Sequence, residues 1–188
     1  MNVQDLHRRA VEEFDRRVQA LTEEMWERET PCCPGWKVRT LVNHLVNENM
    51  WTPPIMHGST VEEVGDRFDG DLLGDDPKGV WERSSKEAVA AVQEDGAMER
   101  TVHLSFGDVP GREYTMQLFA DHLVHAWDLA GAIEADGRLD PELVEACAEW
   151  FESVEELYRS SGAVGERADV PEGADAQTHL LARFGRSA

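Results

Sequence analysis

The sequence predicts an all-α fold, a four-helix bundle with an accessory C-terminal helix and a short β-hairpin near 100–112. Three observations carry this. Apolar residues recur at spacings of three and four along most of the chain, the repeat of one helix face. Proline and glycine clusters fall between those stripes, and only Thr101–Phe106 shows the alternation of a strand. The 188 residues suit one domain, 1–188, in which 162–188 form a tail with a short helix.

The first stripe runs through Val3, Leu6, Ala10, Phe14, Val18, Leu21 and Met25, predicting a long helix over 3–27. Thr30-Pro31-Cys32-Cys33-Pro34-Gly35-Trp36 breaks it. A second helix is expected from about 36 to 50, its core face formed by Val38, Leu41, Val42, Leu45 and Val46, and Thr52-Pro53-Pro54 should stop it. Residues 57–76 read as a long connection with one helical turn near 60–65. Asp76-Pro77 opens a third helix, since proline is accommodated at the first helical position, and it should run to about 95. After the hairpin, helices are expected over about 114–133, 140–161 (opened by Asp140-Pro141) and 175–184.

Formal net charge is −20, from 38 acidic and 18 basic residues, so phosphate backbones and anionic lipid surfaces are poor partners. No stretch of apolar residues is long enough to span a bilayer. The charged N-terminus lacks the apolar core of a secretory signal, which makes a cytoplasmic location the expectation. Cys32, Cys33 and Cys147 form no C-x-x-C spacing and no even framework, so Cys147 is expected in the core and the adjacent pair in a turn.

Of seven histidines, His7 and His179 are expected at the surface, and His57 and His103 have no ligand-type partner at helical spacing. His44 flanks the apolar face of the second helix, one turn after Leu41 and one turn before Glu48. Asp121 and His125 stand at i and i+4 on the later helix and so share a face. Two histidines and a carboxylate on facing bundle helices supply three ligands to one divalent ion and leave a position open for water or substrate. Such a set suits zinc, nickel, iron or manganese, and the ligand chemistry does not choose among them; zinc is taken as the leading expectation. His122, next to Asp121, points about 100° away around the helix and is the rival ligand. Asp128 and Glu48 are candidates to orient a ligand or move a proton, and Trp36, Trp51 and Trp127 to wall a pocket, Trp51 and Trp127 foremost. No nucleophile elbow, phosphate-binding glycine loop, dinucleotide fingerprint or H-E-x-x-H occurs.

Thr30-Pro31-Cys32-Cys33-Pro34-Gly35-Trp36-Lys37-Val38-Arg39, leading to Leu41-Val42-Asn43-His44, resembles the TPCPGW-x-V-R-x-L-x-x-H signature of the mycothiol-dependent maleylpyruvate isomerase type of the DinB-like superfamily. Asp121 through Ala130 is similar to its second signature, D/E-x-x-x-H-x-W-D-L-A, and the stretch from Pro171 to Arg186 resembles the ending of single-domain members. The resemblance implies a DinB-like four-helix bundle with one metal on His44, Asp121 and His125, aspartate standing where the characterised isomerase has glutamate. That isomerase carries a further C-terminal α/β domain, for which 188 residues leave no room. The expected activity is that of a metal-dependent enzyme using a low-molecular-weight thiol on a small electrophile, a mycothiol-dependent S-transferase or isomerase. The contrasting expectation is a non-catalytic metal-binding sensor or interaction module, a homodimer among its forms. A deep pocket lined by Trp51 or Trp127 beside the ion favours the enzyme, and a site plugged by side chains favours the module.

Overall fold

The computed structural model describes residues 2–31 and 34–187; Cys32 and Cys33 lie outside them. Four helices form the bundle: α1 (Val3–Gln19), α2 (Val38–Met56), α4 (Pro77–Gln93) and α5 (Gly111–Ala132), with the single-turn α3 (Val61–Val64) between the second and third. α1 packs chiefly on α5 and α2 on α4, while α1–α4 and α2–α5 contacts close the ring. α6 (Pro141–Ser160) lies on α5, and α7 (Ala176–Arg183) lies on α6. Phe14, Trp81, Phe119, Leu41, Leu45, Leu123 and Leu129 are fully buried where the four stripes meet. Phe14 and Trp81 pack with ring centroids 4.8 Å apart.

The hairpin is present: β1 (Thr101–Leu104) pairs antiparallel with β2 (Gly107–Pro110), Thr101 opposite Pro110 and Leu104 opposite Gly107. Its inward Val102 joins Ile55, Met56, Val64, Tyr114 and Leu118 in a second apolar cluster beneath it. The caps at Asp76, Asp140 and Asp175 each accept a backbone N–H from the first turn, as side-chain oxygens at helix N-termini do.

The first helix is shorter than its stripe. It ends at Gln19, and a 3₁₀ turn follows at Glu23–Met25. The backbone beyond is committed elsewhere: Thr30 N donates to Trp36 O, Val38 N to Arg28 O and Arg39 N to Trp26 O. A backbone group in that antiparallel pairing cannot also serve a helix. The second helix runs on through Pro53 and Pro54 to Met56, against the expectation that they stop it. Proline's fixed φ suits a helix, and its cost is the missing N–H. The Thr52 hydroxyl donates to Glu48 O at 2.8 Å, and His57 N and Ser59 N donate back to the carbonyls of Pro53 and Pro54. Gly58, at φ +91, then ends the turn.

His7 corrects the surface expectation: its ring is fully buried, edge-on to His122 with centroids 5.5 Å apart. Cys147 is buried as expected. Gly111 starts α5 against Ala97, where an added Cβ would lie 2.1 Å from the Ala97 carbonyl oxygen. Gly111→Ala should therefore cost on the order of 2–3 kcal/mol, read as a lower urea midpoint at unchanged m-value. Among the described residues no helix is long and apolar enough to cross a membrane.

Candidate metal centre

Two bundle helices supply the three predicted ligands. α2 carries His44, and α5 carries Asp121 and His125 one turn apart. His44 Nε2 lies 3.1 Å from Asp121 Oδ2, and His125 Nε2 lies 3.4 Å from Asp121 Oδ1. The rings of His44 and His125 meet edge-on with centroids 5.1 Å apart. One ligand atom from each of the three residues falls within 4.8 Å of the others, close enough to share one ion.

The tautomer of His125 is set from behind. Its Nδ1–H donates to Asp128 Oδ2 at 2.7 Å, which leaves Nε2 with its lone pair facing His44 and Asp121. Asp128 is fully buried, and Arg186 meets it through Nη2 at 2.8 Å and Nε at 3.3 Å while its Nη1 donates to Phe184 O. Burial pushes the Asp128 carboxyl up, but the His125 and Arg186 hydrogen bonds outweigh it and hold the group below the usual range, ionised. Asp121 is likewise held well below the usual range: burial opposes, and the two histidines prevail.

Glu48, one turn beyond His44 on α2, faces the same space. Burial and the neighbouring Asp121 charge push its carboxyl up to about 7. The cluster opens onto a cavity of about 410 Å³. Tyr114 and Gln117 of α5, Trp150 and Tyr158 of α6, and Phe184 and Arg186 beyond α7 contribute to its wall. The C-terminal segment is held in that wall by Glu155, which takes ion pairs from Arg159, Arg167 and Arg183. The hydrogen bond from Arg167, with those from Arg159 and Arg183, draws the Glu155 carboxyl down to about 2 against a smaller push from burial.

The proline-rich turn has a visible task. Gly35 adopts φ +83, and the pairing of 26–30 with 36–39 fixes Trp36 over His44 and His125. Its ring lies edge-on to His44 at 5.5 Å and stacked toward His125 at 6.4 Å. The other two tryptophans of the sequence reading stand elsewhere. Trp51 lines a neighbouring hollow and meets Phe68 edge-on at 6.1 Å, and Trp127 packs beside Gly137. His122 turns into the core, as the helical angle requires: its Nδ1–H donates to Leu118 O, and its Nε2 lies 3.1 Å from the Asn49 side-chain amide. Arg186, Trp150 and Tyr158 escaped sequence reasoning, because they reach the cavity from elements distant in the chain and carry no periodic mark.

Residues 7–130 match the family described as mycothiol maleylpyruvate isomerase N-terminal domain. The chain belongs to this family. The matched stretch contains α2, most of α1, nearly all of α5, and every proposed ligand, while α6, α7 and Arg186 lie beyond it. The chain is 28% identical over 170 residues to Uncharacterized protein Rv0738 of Mycobacterium tuberculosis strain H37Rv, which covers 88% of this chain and 81% of that one. Uncharacterized protein MT0763 of strain CDC 1551 matches to the same extent. The crystal structure of the mycothiol-dependent maleylpyruvate isomerase superimposes with a TM-score of 0.64 at 19% identity, covering 87% of this chain and 72% of that one. A single-site mutant of that enzyme gives the same TM-score at 18% identity. These structural likenesses establish the shared helical fold.

Proposed function

We propose that this chain is a metal-dependent enzyme that works with a low-molecular-weight thiol, of the mycothiol-dependent S-transferase or isomerase type. The observation that carries the reading is the convergence of His44 Nε2, His125 Nε2 and the Asp121 carboxylate at the wall of an open cavity. The donor set fits one divalent ion. Both imidazoles offer nitrogen, the carboxylate is ionised, and the buried Asp128 supports His125 as carboxylates behind metal-bound histidines do. Three protein ligands beside open space suit zinc foremost, with nickel, iron and manganese compatible. Bound there, the ion would supply a Lewis-acidic site that favours thiolate over thiol.

The chain's own groups do the rest. Trp36 limits the approach from above the ligands, and Trp150, Tyr158 and Phe184 exclude water from the opposite side. Glu48, with a carboxyl poised near neutrality, accepts the proton that the thiol gives up; with an epoxide it returns that proton to the oxygen freed as the C–O bond breaks, and with a halide the proton passes to solvent as the halide ion leaves. Glu48→Gln should lower kcat by roughly 10²–10⁴-fold at unchanged metal content, since it keeps the shape and removes the base. The reading is tested by incubating metal-loaded protein with mycothiol and neutral epoxides or halides. Thiol consumption that disappears in His44→Ala supports it. Neither thiol binding nor turnover would return the chain to the non-catalytic module.

A further inference from the structure

We propose that the hollow beneath the hairpin is the acceptor subsite of the same cleft, shaped for the uncharged, apolar body of an electrophile. The inference rests on the thiol-dependent reading for its chemistry, but its geometry stands apart from it. The hollow holds about 410 Å³ and adjoins the cavity at the candidate metal centre, with Glu48, Tyr114 and Gln117 lining both. His44, Asp121 and His125 line the first chamber and not the second.

The walls of the second chamber state its preference. Trp51, Ile55, Val61, Leu104 and Phe106 face it beside the uncharged polar Asn47, Ser105 and Gln117, and among the described residues no lysine, arginine or histidine does. Phe106 occupies the two-residue turn between β1 and β2, where polar residues are usual, and is 65% exposed. Of the four exposed large hydrophobics among the described residues, two, Val61 and Phe106, line this one hollow. On a chain of net charge −20, apolar surface gathered at one place marks a contact site. α3 and the hairpin that present these residues are tied by a bridge between Thr60 and His103.

Charge selects against acids. The Glu48 carboxyl stands where the two chambers meet and, when ionised, disfavours an approaching carboxylate, whereas the charge of Asp121 is offset by the ion it would hold. Arg186, the one guanidinium among the described residues that line the chamber at the candidate metal centre, is engaged by both oxygens of Asp128 and by Phe184 O. An acceptor bearing carboxylates therefore meets no cation of the chain to pair with, whereas a neutral aryl or alkyl group gains burial against Trp51 and Phe106.

Two measurements separate this inference from the reading it rests on. The first is calorimetric binding of 2-naphthylmethanol, with and without chelator, to wild type, Trp51→Ala and the surface variant Phe106→Ser. Metal-independent binding, weakened about tenfold in both variants, is expected. The second compares styrene oxide with its para-carboxylate as acceptors for mycothiol, with at least about tenfold higher kcat/KM expected for the neutral epoxide and the loss in Phe106→Ser falling on KM. Probe binding without any thiol transfer would sink the enzymatic reading and leave the subsite standing. Transfer that is indifferent to both substitutions, or that favours the carboxylated epoxide, would overturn the subsite.

Discussion

An Asp128→Asn protein is expected to bind its metal roughly ten- to a hundredfold more weakly than wild type. The side chain is fully buried, and its Oδ2 accepts the Nδ1–H of His125 at 2.7 Å. As long as that oxygen is a carboxylate, the proton of neutral His125 stays on Nδ1 and the lone pair on Nε2. An asparagine can turn its N–H toward Nδ1 instead, which moves the ring proton to Nε2 and closes the ligand position. The substitution also leaves Arg186 without its carboxylate partner, and breaking a buried pair typically costs about 3–5 kcal/mol. Chelator competition should therefore be run where circular dichroism shows the variant folded. Unchanged affinity in folded Asp128→Asn would remove Asp128 from the support of the centre.

Metal-stripped protein should lose stability as pH falls through the range from 6.5 to 4.5, by about 1.4 kcal/mol per pH unit. The sign follows from three groups. Burial and the neighbouring His122 hold His7 down to about 3. Burial, against the Leu118 hydrogen bond, holds His122 down to about 4. Below the ordinary histidine value of 6.5 each is protonated only when the chain unfolds, so each contributes a slope in which stability rises with pH. Glu48, raised to about 7, is protonated in the fold and ionised in the unfolded chain between 4.5 and 7, and its contribution has the opposite sign. Two against one leaves a net slope of one proton. Among the described residues neither ring nitrogen of His7 has a hydrogen-bond partner, which makes its burial costly in any protonation state. His7→Phe should flatten the slope by about one proton, measured as urea midpoints across that range, and an undiminished slope would mean that His7 is not the group responsible.

How far the sequence could be read depends on whether a feature is local. The helices, the hairpin and the face shared by Asp121 and His125 follow from spacings within a few residues, as does the turning away of His122. The second proline pair was misread because the local rule counts a missing N–H but not the Thr52 hydroxyl or the carbonyls reused at the helix end. His7 was assigned to solvent from its charged neighbours, although it stands four residues after Val3 and seven before Phe14, on the buried stripe. The Arg186–Asp128–His125 chain could not be read at all. It joins α5 to a residue beyond α7, and the docking of the C-terminal segment, through Glu155 and the stacking of Phe184 on Phe151, brings them together.

Elemental analysis of the purified protein tests the central claim most directly. One divalent ion per chain is expected in wild type and in the exposed-site control His57→Ala, with near-complete loss in His44→Ala and in His125→Ala. Full metal content in both of those variants would contradict the assignment of the centre to His44, Asp121 and His125.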